Sequence, residues 1–158
     1  MADTALKTLW LLHGVNLDML GTRDPAHYGT LTLAELEAYV GERAAAFGFL
    51  LQTFQTNHEG VLVEQLHAIA RGGAAGVIIN PGAWTHYSYA IRDALELVTA
   101  PVAEVHLSDV GAREEWRRHS VIADLAAVRI SGKGRDGYGE AVEALAALHG
   151  AAKEEEQA

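Results

Sequence analysis

The 158-residue chain has no cysteine. Disulfide staples, thiolate nucleophiles and cysteine-ligated zinc are therefore excluded. Positive charge is scarce: 12 Lys and Arg stand against 21 Asp and Glu, a formal net charge of -9 with a pI near 5.3. Nucleic acid and anionic membranes both select for clustered Lys and Arg, so neither is expected as a partner. A small anionic metabolite stays open, because a few local arginines outweigh the mean field. No basic stretch leads into an apolar run at the N-terminus, and no 18-residue apolar segment occurs. A cytoplasmic protein is the expectation. Several motifs are missing as well. The eight histidines include His58, His67, His86, His106 and His119, but no HExxH or similar ligand spacing, so no metal is expected. The dinucleotide fingerprint Gly-x-Gly-x-x-Gly is absent after the first apolar run. Gly132-Lys133-Gly134 shares only a fragment of the phosphate-loop pattern, and nucleotide binding is unsupported. There is no internal repeat.

What is present is an ordinary core-forming composition, 49% hydrophobic and 21% charged. One domain is expected over residues 1–150, followed by a short acidic tail over 151–158 that is expected to be disordered. Short apolar runs predict strands at Leu9 to His13, Leu50 to Gln55, Gly76 to Ile79, Val102 to His106 and Ala127 to Ile130; several are continuously apolar, as strands covered on both faces are. Helical periodicity lies between them. Thr32 and Glu35 form a capping box that opens a helix running to about Phe47. Further helices are expected at Glu59 to Arg71, His86 to Val98 and Gly137 to Leu148, with a helical turn over Arg113 to Arg117. This alternation implies an α/β protein with a parallel sheet covered by helices on both faces. Gly14 to Gly29 has no hydrophobic periodicity and is read as a long functional loop, a lid.

Ligands of open parallel sheets sit beyond the carboxyl ends of the strands, so the residues that follow each strand are the candidates. The first strand is followed by His13, Gly14, Asn16, Arg23 and Tyr28, the second by Asn57, His58 and Glu59. Asn80, Pro81, Gly82 and His86 follow the third. The fourth ends in Glu104-Val-His106-Leu107-Ser108, with Arg113 and Arg117 beyond. Each has a bland reading beside a chemical one. Tyr28 is a surface anchor, or a base whose phenolate a nearby Arg23 stabilises, bringing a pKa of about 10 toward the working range. Glu104 and His106 share one strand face, either as a structural pair or as a carboxylate that orients an acid/base imidazole. Asn80-Pro81-Gly82 is a turn, or a place where Asn80 holds a substrate hydroxyl. Arg113, Arg117 and Arg118 form a solvated face, or bind an anion.

Five ordered blocks carry a resemblance to a known family. They are Gly14-Val-Asn-Leu-Asp-Met-Leu-Gly-Thr-Arg-Asp-Pro-Ala-His-Tyr-Gly29, Gln55-Thr-Asn-His-Glu-Gly60, the run from Ile79 through Tyr89 with Ile91 to Ala94, Glu104-Val-His-Leu-Ser108, and Ala112-Arg-Glu-Glu-Trp-Arg-Arg-His-Ser120. In order and content they resemble the type II 3-dehydroquinate dehydratases, over nearly the whole chain. The resemblance implies a flavodoxin-like sheet ordered 2-1-3-4-5 and a homododecamer built from trimers. It implies cofactor-free dehydration of 3-dehydroquinate to 3-dehydroshikimate through an enolate, in the shikimate or quinate pathway. Tyr28 would be the base with Arg23 stabilising its phenolate, and Asn16 would hold the water that stabilises the enolate. His106, oriented by Glu104, would be the acid. Asn80, His86, Arg117 and the backbone at Leu107 and Ser108 would bind substrate. Arg113 would lie on the lid side, and Asp93 would reach in from a neighbouring subunit.

The chain departs from the family pattern at His13, Val15, Trp84, Asp109, Gly111 and Gly132-Lys-Gly134. None of these removes a residue given a chemical role, although His13 and Asp109 bear on loop geometry, and Asp109 adds a carboxylate near a carboxylate-binding pocket. A type I mechanism would need a Schiff-base lysine, and Lys7, Lys133 and Lys153 stand apart from the converging residues. Two other readings stay open. One is a paralogue that dehydrates a related cyclic hydroxy-ketone acid. The other is a non-catalytic flavodoxin-like module, disfavoured because His13-Gly14 replaces the acidic cluster of a phosphoryl acceptor.

Overall fold

A computed structural model describes residues 7–158; the first six residues of the expected domain lie outside them. Five parallel strands run in the order β2-β1-β3-β4-β5, as the resemblance implied: β1 (Thr8–His13), β2 (Leu50–Gln55), β3 (Gly76–Asn80), β4 (Val102–His106) and β5 (Val128–Ser131). Each expected strand is found within a residue at either end. The helices are α1 (Pro25–Tyr28), α2 (Leu33–Ala46), α3 (Glu59–Gly72), α4 (Tyr89–Leu95) and α5 (Gly134–Gln157). Among the described residues, no helix is long and apolar enough to cross a membrane.

Alternation along the strands divides the core in two. Leu9 and Leu11 of β1 and Ile78 of β3 face α2 and α5, where Leu36, Val40, Val142 and Leu145 close the layer. Leu12, Val77 and Ile79 face α3 and α4, against Leu62, Leu66, Ile91 and Leu95. β1, β3 and β4 are buried almost throughout. β2 and β5 are edge strands and only half covered, so the continuous burial expected for apolar runs does not extend to Leu50–Gln55. Leu50 itself is exposed.

The helix ends differ from expectation for identifiable reasons. The Thr32 capping box is present, with Glu35 N–H donating to the Thr32 hydroxyl and Thr32 N–H to the Glu35 carboxylate. The third expected helix begins at Tyr89, not His86, because the Ser88 hydroxyl caps it by accepting from Ile91 N–H. His86 instead closes a 3₁₀ turn over Gly82–His86. Arg113 to Arg117 is likewise not one helical turn but two 3₁₀ turns, Val110–Ala112 and Glu115–Arg117. The last helix starts earlier, at Gly134, and continues to Gln157, so the segment expected as a disordered acidic tail is its final two turns. Gly14 to Gly29 is not irregular throughout. It holds a 3₁₀ turn (Leu17–Met19) and α1, whose single turn is specified by the Asp24 cap, Pro25 at the first helical position and Gly29 in left-handed conformation (φ 67°) at its end.

The chain leaving β1 crosses the chain leaving β3 at van der Waals limits. Gly14 N–H donates to Asn80 C=O at 2.8 Å, and a Cβ on Gly14 would stand 2.0 Å from the Pro81 carbonyl oxygen. Opposite it, Gly82 has φ +65°, and a Cβ there would lie 2.5 Å from the Val15 oxygen. Gly14→Ala therefore forces two backbones apart and is expected to cost about 3 kcal/mol in urea unfolding. Gly48→Ala, where φ is +79° but nothing lies within 4 Å, should cost only about 1 kcal/mol. Equal losses at the two positions would contradict the steric account.

Candidate active site

The pocket lies beyond the carboxyl ends of β1, β3 and β4, where the sheet order reverses between β1 and β3. It is lined, among others, by Asn16, Arg23, Tyr28, Asn80, His86, His106, Leu107, Ser108, Arg113 and Arg117. Of the residues to which the resemblance gave a role, Glu104 and Asp93 do not line it. Glu104 stands behind His106, and Asp93 lies on α4 in a separate open groove with Tyr89, Arg92 and Glu96.

Tyr28 ends α1 and is flanked by two guanidinium groups. Arg113 Nη1 donates to the Tyr28 hydroxyl at 2.7 Å, while Arg23 lies over the ring face at 4.0 Å. The direct partner of the phenol oxygen is thus Arg113, which the sequence reading put only on the lid side. Arg23, expected to stabilise the phenolate, lies against the ring in a cation–π contact. The Gly14–Gly29 segment is tied to the sheet at its first turn. Asn16 has φ 68°, which Asn tolerates better than other side chains with a Cβ, and its N–H donates to Asn57 Oδ1 at 2.8 Å. Asn57 in turn donates to Asp18, and Gln55 donates to both Gly14 C=O and Asn57. Asn57 entered the sequence reading only as a residue after the second strand; its anchoring of the lid depends on pairing across 41 positions, which no local pattern reports.

Tyr28 shares the pocket with His106, one of the β4 pair. Glu104 and His106 point to one face, and His106 Nε2–H donates to Glu104 Oε1 at 2.8 Å, which leaves Nδ1 to exchange protons with a ligand. Glu104 is 1% exposed. Burial pushes its carboxyl up, but the hydrogen bond and charge of His106, the Ser120 hydroxyl and the Arg129 cation outweigh that and hold it below its ordinary value. His86 hydrogen-bonds the His119 carbonyl through Nδ1 at 2.6 Å, so Nδ1 carries the proton and Nε2 is an acceptor. Burial lowers its pKa, opposed by that bond, and the ring stays neutral more readily than a free imidazole.

Asn80 is held from both ends: Gly82 N–H donates to Oδ1, and Nδ2 donates to the hydroxyl of the fully buried Tyr138 at 3.1 Å. One N–H of the amide is left for a ligand. Burial raises the Tyr138 pKa far above the ordinary phenol range, so the hydroxyl is neutral. Arg117 lies over the Trp116 ring at 4.1 Å and donates through Nε to Glu114 at 2.5 Å. The carbonyls of Leu107 and Ser108 accept from Gly134 and Gly132. The Gly132-Lys-Gly segment thus braces the β4 loop, and Lys133 is engaged by Glu140 at 2.8 Å. The unusual Asp109 and Gly111 belong together: Asp109 Oδ1 accepts Gly111 N–H at 3.0 Å, which occupies the added carboxylate in its own turn. His13 is fully buried on the α2 side of the sheet, 3.3 Å from Glu37, and lines none of the pocket.

The sheet order and the cleft at its switch point define a doubly wound α/β protein with a flavodoxin-like topology, carrying an acid–base pocket rich in arginine. Within that class the chain belongs to the class II dehydroquinase family, whose model matches residues 7–146. It is 54% identical over 133 residues to the 3-dehydroquinate dehydratase of Syntrophotalea carbinolica, covering 84% of this chain and 90% of that protein. It is 51% identical to a catabolic 3-dehydroquinase of Aspergillus oryzae, over 89% of this chain and 91% of that one. The crystal structure of the type II dehydroquinase from Propionibacterium acnes superposes with a TM-score of 0.85 at 40% identity, covering 89% of this chain and 97% of that chain.

The depressed Glu104 pKa carries a stability consequence. The unfolded chain takes up the proton near the free value of 4.5, before the folded protein does, so stability present above that pH is lost as pH falls through the lower folded value. Urea unfolding of the wild type should lose free energy more steeply between about pH 5 and pH 3 than that of Glu104→Gln. Parallel slopes would remove Glu104 from the acid lability.

Proposed function

We propose that this chain is a 3-dehydroquinate dehydratase, a hydro-lyase that converts 3-dehydroquinate to 3-dehydroshikimate without a cofactor. The observation that carries the reading is the meeting of a guanidinium-flanked phenol, Tyr28, and a carboxylate-bonded imidazole, His106, in one pocket. Elimination beside a ketone needs both. The Tyr28 phenolate takes a proton from the carbon next to the carbonyl, and the electron pair moves to the carbonyl oxygen as an enolate. Arg113, bonded to the phenol oxygen, and Arg23, over the ring, lie against the charge that the base carries as it starts the step. Asn16 holds the water that stabilises the enolate oxygen. As the enolate collapses, the carbon–oxygen bond to the leaving hydroxyl breaks, and His106 supplies the proton that makes it water. Glu104 keeps the His106 ring in the tautomer that presents Nδ1.

Binding falls to the rest of the lining. The substrate hydroxyls and carboxylate draw on Asn80, His86, Arg117 and the backbone at Leu107 and Ser108. The arginines give the pocket a positive field inside an acidic protein, which suits an anionic substrate. Asp93 completes the site from a neighbouring subunit in a homododecamer of trimers, acting in the cytoplasm. That assembly agrees with the separation of Asp93 from the pocket of its own chain. Light scattering would then give the mass of twelve chains.

Tyr28→Phe and His106→Ala should each lower turnover of 3-dehydroquinate on the order of 10³-fold, read as the ultraviolet absorbance of the enone product. Near-normal turnover by either variant would defeat its assigned role. Faster turnover of an analogue than of 3-dehydroquinate would replace the substrate.

A further inference from the structure

The register of the last strand pair sets Arg129 directly opposite Glu104. Directly opposed residues leave a sheet on the same face, and Arg129 Nε donates to Glu104 Oε2 at 3.0 Å while His106 holds Oε1 at 2.8 Å. The two oxygens of one buried carboxylate are thus divided between two cations or potential cations. The Arg129 side chain is 48% exposed, the Glu104 side chain 1%. A second cleft, lined by Glu104, His106, Arg129 and Ser131 among others, opens beside the pair, and Tyr28 does not line it.

The division matters when His106 gives up its proton. While His106 is charged, the Glu–His pair is neutral. Once the proton has gone, Glu104 would without another cation be an uncompensated buried anion, a strongly disfavoured state. Arg129 is the charge that remains. We propose that Arg129 is a positioning residue for the acid step, keeping the Glu104 carboxylate compensated and in place so that His106 releases its proton more readily than a two-residue Glu–His pair would allow. The other charged or titratable groups that share the pocket with the imidazole are His86, Arg113 and Arg117 on the loop after β4, and Arg23 and Tyr28 on the segment after β1; the Ser120 hydroxyl also acts on Glu104. None of them changes when position 129 is substituted, so the effect of Arg129 is separable.

The role in turnover rests on the dehydratase reading; the charge coupling does not. The test uses the full chain with histidine labelled at the ring Cε1 carbon, the His106 signal being assigned by its loss in His106→Gln. In the ligand-free protein, Arg129→Gln should raise the titration midpoint of His106 by about half a pH unit, a modest shift because the cation is half solvated. Arg129→Lys, which keeps the charge, should return it toward the wild-type position. In the assay, Arg129→Gln should move the alkaline limb of kcat the same way and lower kcat by about threefold with KM within twofold. Arg129→Met is a second neutral variant if the glutamine variant fails to fold. A midpoint that stays put in the neutral variant, or one that lysine does not restore, overturns the proposal. A wild type that shows the coupling and yet fails to turn over 3-dehydroquinate refutes the dehydratase reading, and with it the part of Arg129 in catalysis.

Discussion

The site depends on one close approach, the crossing of the chain after β1 over the chain after β3. Two backbones touch where only glycine fits, and the bond from Gly14 N–H to the Asn80 carbonyl fastens them. That contact fixes where the lid departs and where Asn16 turns left-handed. It also fixes Gly82, whose N–H holds the Asn80 side chain. Opposite it, Tyr138 reaches from α5 through the core to hold the other end of the same amide. The floor of the pocket is therefore built of main chain and one clamped side chain. Such a floor loses little order when a ligand arrives, which favours binding through lower entropy cost.

Electrostatics on this scaffold is local rather than global. The protein is strongly acidic, yet Arg23, Arg113 and Arg117 all line one cleft. They are not interchangeable. One meets the Tyr28 oxygen, one its ring, and one is steered by Glu114 and Trp116. Each geometry uses the planar guanidinium in a way that an ammonium would not reproduce. Among the acidic residues of the described chain, buried Glu104 holds His106 and Glu114 steers Arg117.

Much of this was legible in the chain. Strand periodicity located all five strands, and the rule that ligands sit at strand ends gathered most of the pocket. The Thr32–Glu35 box set a helix start because capping is local chemistry within four residues. Other features are also written locally: Asp24-Pro25 and Gly29 encode α1, and Ser88 starts α4. What could not be read depends on register and distance. Arg129 reads as an ordinary edge-strand residue until the β4–β5 pairing sets it against Glu104. Arg113 meets Tyr28 across 85 positions, and the partnership of Tyr138 with Asn80 spans 58. A sequence states which hydrogen-bonding groups exist, whereas folding decides which of several arginines arrives at a given oxygen.

Tyr28 and His106 are carried by parts of very different anchorage. His106 belongs to a central strand buried on both faces, whereas Tyr28 sits on a single helical turn between two glycines, Gly21 and Gly29, with positive φ. An excursion of that turn wide enough to admit a ring-sized molecule would take the phenol away from both Arg113 and the imidazole. On the dehydratase reading the door and the base would then be one object, so an open cleft would bind and release but not react. Ingress, commitment and discharge would be timed by a single four-residue segment.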